Sequence, residues 1–201
     1  MRTRDPQLRP LHLLCDALPR PDGGAVVNPA VRTDRAARGP LVIGLGSRDR
    51  GDDAVGPAVA RTVAAEHPSI AVVEHEDPTA LLDLWAGHTP VVVVDAACSG
   101  ALAGTVHRLE TGRTASQVGL GAWARSGHGS THAIGLAEVV ELGRVLGRLP
   151  ERLVVVGVEA ERFDHGAPLS PAVAAAIPAA ARCICEALGT TRGEETSRVP
   201  R

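Results

Sequence analysis

The run of valines at residues 91–94 constrains the fold of this chain more than any other segment. It follows Pro90 and is followed directly by Asp95. A strand that is apolar on both faces is typical of the middle of a parallel sheet that carries helices on both sides. Residues 153–158 form a second run of this kind. Two such runs therefore predict a layered domain with a buried, mostly parallel sheet.

Short aliphatic runs alternate with helical patterns through the middle of the chain. Strands are predicted at residues 41–45, 70–74, 91–94, 104–109 and 153–158. Helices are predicted at residues 53–67, 79–86, 133–146 and 171–188, the last with Ser170 as its N-cap. Aromatic residues make up only 1% of the chain, so the core must be aliphatic. The order of elements predicts an α/β fold with three layers, α/β/α.

The length of 201 residues suits one domain with some surplus at its ends. Residues 1–39 and 189–201 have no sustained apolar period, so we predict a disordered N-terminal extension, one domain over residues 40–188, and a flexible tail. The net charge of −2 disfavours nucleic acid as a partner. No apolar stretch approaches the roughly 18 residues of a membrane-spanning helix. The four scattered cysteines favour a reducing cytoplasm.

A glycine-rich loop at residues 44–49 follows the first strand and precedes a helix, as a dinucleotide-binding loop does. Asp49 replaces the third glycine of that pattern, and Asp52 and Asp53 add negative charge where a pyrophosphate would bind. Acids at this position suit a cation better than a phosphate. The alternative is structural: Asp52 caps the helix, and Asp53 complements its dipole.

Asp95 ends a strand that is predicted to be fully buried, where a carboxylate is costly unless it faces a crevice or a cation. Ligands of open α/β sheets bind beyond the carboxyl ends of the strands, at the point where neighbouring connections diverge. Asp53 and Asp95 could both lie there. Strand-end acids also serve as helix caps, so a structural role for Asp95 stays open at this point.

Histidines are the candidates for a third ligand. His132 lies directly before the predicted helix at 133–146, in a segment rich in Gly, Ser and Thr. His128 and His165 lie in similar loops, and spacing does not distinguish them from His132. Two carboxylates and one imidazole suit zinc or nickel. Cys98 could be combined with Asp95 and a loop histidine into a thiol protease site, but an inert cysteine is the favoured interpretation.

Four blocks of sequence, in order, resemble the hydrogenase maturation proteases. They are residues 44–56 (GLGSRDRGDDAVG), residues 94–96 (VDA), residues 130–136 (STHAIGL), and residues 157–158 with 169–173 (GV and LSPAV). The family's usual asparagine is Ser47 here, an apolar position is Asp49, and a frequent proline is Ala160. A central sheet of about five strands is expected, which is the usual size in such domains. The resemblance implies a phosphorylase/hydrolase-like fold in which residues 104–109 run antiparallel to the other strands.

The resemblance also implies a function. Asp53, Asp95 and His132 fall on the positions that the family uses to contact nickel, and they would be both the metal-contacting and the catalytic residues. The chain is expected to be a nickel-dependent endopeptidase of the cytoplasm. It would remove a C-terminal peptide from the large-subunit precursor of a nickel–iron hydrogenase after metal insertion.

The nickel would be carried by the substrate, zinc or cadmium could substitute for it in crystals, and the enzyme would act as a monomer. Two other interpretations of the function stay open. One is a non-catalytic checkpoint or chaperone protein that uses the same three ligands. The other, less favoured interpretation is a small-molecule hydrolase of the α/β class.

Overall fold

A computed structural model of the chain describes residues 38–113 and 135–190. These residues form five strands and four α-helices within the described ranges. The strands are β1 (Leu41–Leu45), β2 (Ala71–His75), β3 (Val91–Ala97), β4 (Val106–Thr111) and β5 (Leu153–Glu159). The helices are α1 (Val55–Glu66), α2 (Leu81–Leu84), α3 (Leu136–Val145) and α4 (Pro171–Leu188). Short 3-10 turns, Gly51–Ala54 and Pro78–Ala80, precede α1 and α2.

The strands form one sheet in the order β2-β1-β3-β5-β4. All neighbours are parallel except β4, which runs antiparallel to β5. The predicted α/β fold with a mixed, mostly parallel five-stranded sheet is therefore confirmed, including the antiparallel strand implied by the family resemblance. The chain leaves β1 toward β2 on one side, while β3 lies on the other side. The switch point thus falls between β1 and β3, which pair from Leu41–Val91 to Gly44–Val94.

The core consists of two aliphatic layers, one on each face of the sheet. Alternate residues of the central strands face α1 and α4, including Val92, Val94 and Val156. The remaining residues of these strands, including Val93 and Val155, face α2 and α3. Both valine runs are buried along their whole length, as their two-sided apolar character predicted.

Glycines allow α1 to approach the sheet closely. A Cβ at Gly44 would lie 2.6 Å from the carbonyl oxygen of Gly56, and a Cβ at Gly56 would collide with the carbonyl oxygen of Leu45. Gly46 has a φ of 123°, and a side chain there would collide with the backbone of Asp53. The glycines that suggested a phosphate-binding loop therefore serve close packing of the helix on the strand.

The observed boundaries differ from the predicted ones at several ends. β3 continues to Ala97 and β5 to Glu159, so Asp95 lies inside a strand instead of following one. The first predicted helix begins as the 3-10 turn Gly51–Ala54, and the second is shorter than predicted. Ser170 caps α4 as predicted, since its Oγ accepts a hydrogen bond from the backbone N–H of Val173.

Contrary to the expectation from the sequence, helix α4 is long and apolar enough, by length and composition alone, to cross a membrane. It also packs against α1 and β5 and contributes Val173, Ala180 and Ile184 to the core. The predicted N-terminal extension and flexible tail lie almost entirely outside the described residues. At the N-terminal boundary, Arg38 pairs with His88 in an isolated β-bridge.

Candidate active site

The first two predicted site residues, Asp53 and Asp95, lie at the carboxyl ends of β1 and β3, close enough for their charges to interact. Asp53 lies in the 3-10 turn between β1 and α1. Its Oδ2 accepts a hydrogen bond of 2.9 Å from the backbone N–H of Ser47, which holds the glycine-rich loop against the turn. Asp53 is partly exposed, so its carboxylate lies at the rim of the sheet and is not buried inside it.

Asp95 lies near the end of β3, and its Oδ1 accepts a hydrogen bond of 2.8 Å from the N–H of Ala96. Burial raises the pKa of the Asp95 carboxyl from 3.8 to about 8, and the negative charge of Asp53 adds to this rise. The two carboxylates therefore repel each other across the switch point. A cation between them would relieve this repulsion and would favour the ionised form of Asp95.

Asp52, the neighbour of Asp53, has a different role. Its side chain is fully buried, and Oδ1 accepts a hydrogen bond of 2.6 Å from the N–H of Ser170. Its Oδ2 accepts bonds of 3.0 and 3.2 Å from the N–H groups of Glu161 and Arg162. The structural alternative, in which Asp52 caps its own helix, is wrong, because neither the 3-10 turn nor α1 has a side-chain cap. Asp52 instead ties the turn before α1 to the segment that connects β5 with α4.

The predicted third site residue, His132, lies outside the described residues, as does His128. His165 is described and lies exposed in the loop before α4. Within residues 38–113 and 135–190, no three His, Cys, Asp or Glu side chains are placed to hold a metal ion. The Asp53–Asp95 pair would thus need a further ligand from the remaining part of the chain or from a bound partner.

Cys98 lies just beyond β3, close to the acidic pair. Burial raises the pKa of the Cys98 thiol, and the charges of Glu159, Asp95 and Asp53 raise it further. A thiol in this environment stays protonated at neutral pH, so Cys98 is unsuited to act as a nucleophile. This supports the inert interpretation of Cys98 over the thiol protease site.

Glu159 is a buried acid at the same edge of the sheet that the sequence analysis did not single out. It ends β5 with only 2% of its surface exposed, opposite Ala97 in the register with β3. A sequence signal was present, since Glu159 follows the apolar run 153–158 just as Asp95 follows the run 91–94. The same reasoning about a costly buried carboxylate would have identified it.

The fold and these acids define a three-layer α/β protein whose candidate site lies at the switch point, at the carboxyl edge of the sheet. Residues 76–187 match the family model HycI, hydrogenase maturation protease. The matched region contains Asp95, Glu159 and His132, and it begins after Asp53. None of the curated protein sequences matches the chain.

Solved structures of endopeptidases and hydrogenase maturation proteases have a similar fold. The hydrogenase maturating endopeptidase HybD from Escherichia coli is 26% identical, with a TM-score of 0.60, and the alignment covers 76% of this chain and 93% of that one. An endopeptidase from Escherichia coli is 23% identical with a TM-score of 0.64, covering 78% and 96% of the two chains. The HybD hydrogenase maturation protease from Thermococcus kodakarensis is 18% identical with a TM-score of 0.57, covering 75% and 99%.

The chain belongs to the hydrogenase maturation protease family. Members of this family are peptide hydrolases that remove a C-terminal peptide from the precursor of a hydrogenase large subunit. This membership confirms the family that the four sequence blocks resemble and the predicted enzyme class. The predicted fold is confirmed by the sheet and by the similar solved structures.

Proposed function

We propose that this chain removes the C-terminal peptide from the large-subunit precursor of a nickel–iron hydrogenase, and that it does so only after nickel has been inserted. Asp53, Asp95 and His132 would contact the nickel that the precursor carries. The observation that supports this proposal most directly is the coupled pair Asp53 and Asp95 at the switch point.

The raised pKa of Asp95 favours a metal that arrives with the substrate. At neutral pH the pair holds less than its full negative charge, because a proton occupies the Asp95 carboxyl. Two partly exposed carboxylates and one imidazole also form a weaker cage than a closed site with four ligands. Metal-binding groups of the precursor would supply the missing ligands, so contact would depend on a loaded precursor.

Cleavage itself would rely on an activated water. Cys98 is held as a thiol and cannot readily attack the peptide bond. A metal beside the scissile bond can polarise the carbonyl and lower the pKa of bound water. Asp53 and Asp95 would orient that metal relative to the peptide.

The test compares nickel-loaded with nickel-free precursor, using wild-type protein and the variants Asp53→Asn, Asp95→Asn and His132→Ala. Asp83→Asn is the matched control, because the Asp83 side chain is 87% exposed and pairs only with Arg148 among the ion pairs of the described residues. We expect mass spectrometry to show a shortened large subunit only with loaded precursor, and at least about 100-fold slower processing by the three site variants.

Two results would contradict the proposal. Equal cleavage of loaded and nickel-free precursor would remove the role of nickel as the trigger. Full activity of Asp53→Asn or Asp95→Asn would remove the site. Binding of loaded precursor without any cleavage would instead support the checkpoint protein that uses the same ligands.

We place the reaction in the cytoplasm, with the enzyme as a monomer. The cysteines of the described residues, Cys98, Cys183 and Cys185, are free thiols, as a reducing compartment favours. Size-exclusion chromatography with light scattering would test the oligomeric state, and a stable dimer would contradict the proposed monomer.

A further inference from the structure

The buried carboxylate of Glu159 holds the loop at residues 98–103, which follows β3. Its Oε1 accepts hydrogen bonds of 2.7 and 3.1 Å from the N–H groups of Gly100 and Ala101. Its Oε2 accepts a hydrogen bond of 2.9 Å from the Ser99 hydroxyl and lies 3.2 Å from Nε2 of His107. Both oxygens are therefore engaged, and three of the four contacts lie in the loop.

Backbone bonds fix the other end of the same loop. The N–H of Gly104 donates to the carbonyl oxygen of Glu159 over 2.8 Å, and the N–H of Glu159 donates to the carbonyl oxygen of Thr105 over 2.9 Å. Thr105 in turn donates to the carbonyl oxygen of Leu102 through its N–H and its hydroxyl, over 3.0 and 2.7 Å. The loop is thus built as a rigid feature and not as a mobile connection.

This rigid loop displays an apolar side chain. Leu102 is 84% exposed, the highest exposure among the large apolar residues that the structure describes. A single exposed leucine is ordinary on a protein surface. Its position is less ordinary, because the Glu159 carboxylate binds the three residues just before it, and Thr105 donates two hydrogen bonds to the carbonyl oxygen of Leu102 itself. A preorganised contact loses little conformational entropy when a partner binds.

The sheet register places the loop beside the candidate site. Asp95 pairs with Gly157, and Ala97 pairs with Glu159, so the loop leaves β3 two residues after Asp95. The first residue of the loop, Cys98, lies close enough to feel the charges of Asp95 and Asp53, so a peptide bound across that pair lies at the same end of the sheet as the loop. Asp95 itself is held by strand pairing, so loosening the loop would change binding of the precursor more than the chemistry at Asp95.

We propose that the 98–103 loop is a contact surface for the large-subunit precursor, in which Leu102 contacts an apolar side chain of the precursor and Glu159 is the positioning residue that holds the loop. This inference rests on the proposed function, since it takes the precursor as the partner of the site. It adds a determinant of precursor affinity that is separate from the metal-contacting residues.

The experiment measures the affinity for nickel-loaded precursor and the values of KM and kcat for its processing, using the full chain. We expect Leu102→Ser to weaken binding and raise KM about 10-fold, because burial of a leucine side chain is lost, with kcat changed less than about twofold. Val145→Ser is the matched control. Val145 is 82% exposed at the end of α3 that leads to the amino end of β5, at the opposite edge of the sheet.

Variants of Glu159 test the positioning role. Glu159→Ala is expected to raise KM about as much as Leu102→Ser and to lower the melting temperature. Glu159→Gln should restore part of the affinity, because its amide oxygen still accepts hydrogen bonds. Val154→Ala, on the same strand but facing α1 and α4, controls for lost stability without a loosened loop. It should leave KM unchanged at temperatures well below its melting transition.

Equal KM values for Leu102→Ser and Val145→Ser would overturn the proposal, and so would a folded Glu159→Ala variant with wild-type KM. Failure of the proposed function gives a different result. If Asp53→Asn processes the precursor normally, the metal-contacting site is wrong, whereas the effect of Leu102→Ser on precursor affinity remains measurable. If Asp53→Asn is inactive and Leu102→Ser behaves as the control, only the loop proposal fails.

Discussion

Replacing Asp95 by Asn removes a carboxyl that binds its proton far more tightly in the folded chain than in the unfolded one. Burial, together with Asp53, raises its pKa from 3.8 to about 8. The stabilising contribution of this proton is fully present below pH 3.8 and is lost as the pH rises toward 8. Each pKa unit corresponds to about 1.36 kcal/mol, so the loss at pH 7 reaches about 4 kcal/mol at most.

The measured effect should be smaller than this limit, since the Asp95 side chain keeps some contact with solvent. We expect Asp95→Asn to be more stable than wild type by about 1–3 kcal/mol at pH 7–8, with the difference approaching zero near pH 4. The hydrogen bond from Ala96 is retained, because the amide oxygen of Asn can accept it.

Urea unfolding from pH 4 to 8.5, in the presence of a chelator, measures this difference directly. Asp83→Asn serves as the exposed control and should follow the wild-type pH dependence. Asp53→Asn should give a smaller gain than Asp95→Asn, because burial, not the charge of Asp53, is the larger cause of the raised pKa. An Asp95→Asn variant that is less stable than wild type at pH 8 would refute the reasoning. A stability difference that stays constant over the whole pH range would do so as well.

Three further changes test the fold around the site. Asp52→Asn should destabilise the chain by about 2–4 kcal/mol in urea unfolding, because an amide cannot accept hydrogen bonds on both sides from three backbone N–H groups; a change below about 0.5 kcal/mol would contradict this. Gly44→Ala should cost at least about 2 kcal/mol, because its Cβ would collide with Gly56, whereas Gly39→Ala meets nothing within 4 Å and should be neutral; equal effects would refute the packing argument. Removal of residues 1–37 should leave the melting temperature nearly unchanged, since they carry no periodic apolar pattern, and a large drop in calorimetry would show that they belong to the fold.

The layered fold could be predicted because its signals are local. A strand apolar on both faces must lie between two helical layers, which assigns the runs at 91–94 and 153–158 to the centre of the sheet. The antiparallel direction of residues 104–109 could not be predicted from such a local signal. It came from the family resemblance, because strand direction depends on the path of the connection and not on the composition of the strand.

The strand ends were predicted less well. The run 91–94 suggested that β3 stops before Asp95, yet pairing with β5 continues to Ala97. Backbone hydrogen bonds do not require apolar side chains, so a ladder can extend past the point where the hydrophobic pattern ends. This extension fixes the position of Asp95 through its pairing with Gly157.

The sequence by itself determined that acids stand at the ends of buried strands, and burial of a carboxylate is costly enough to make that pattern informative. The sequence did not determine which acid has a structural role and which belongs to the candidate site. Asp52 and Asp53 are neighbours in the chain. The Asp52 carboxylate accepts hydrogen bonds from backbone N–H groups more than 100 residues away, whereas the charge of Asp53 acts on Asp95. Only the tertiary structure decides between them, because the partners of a side chain are set by segments that are distant in the chain.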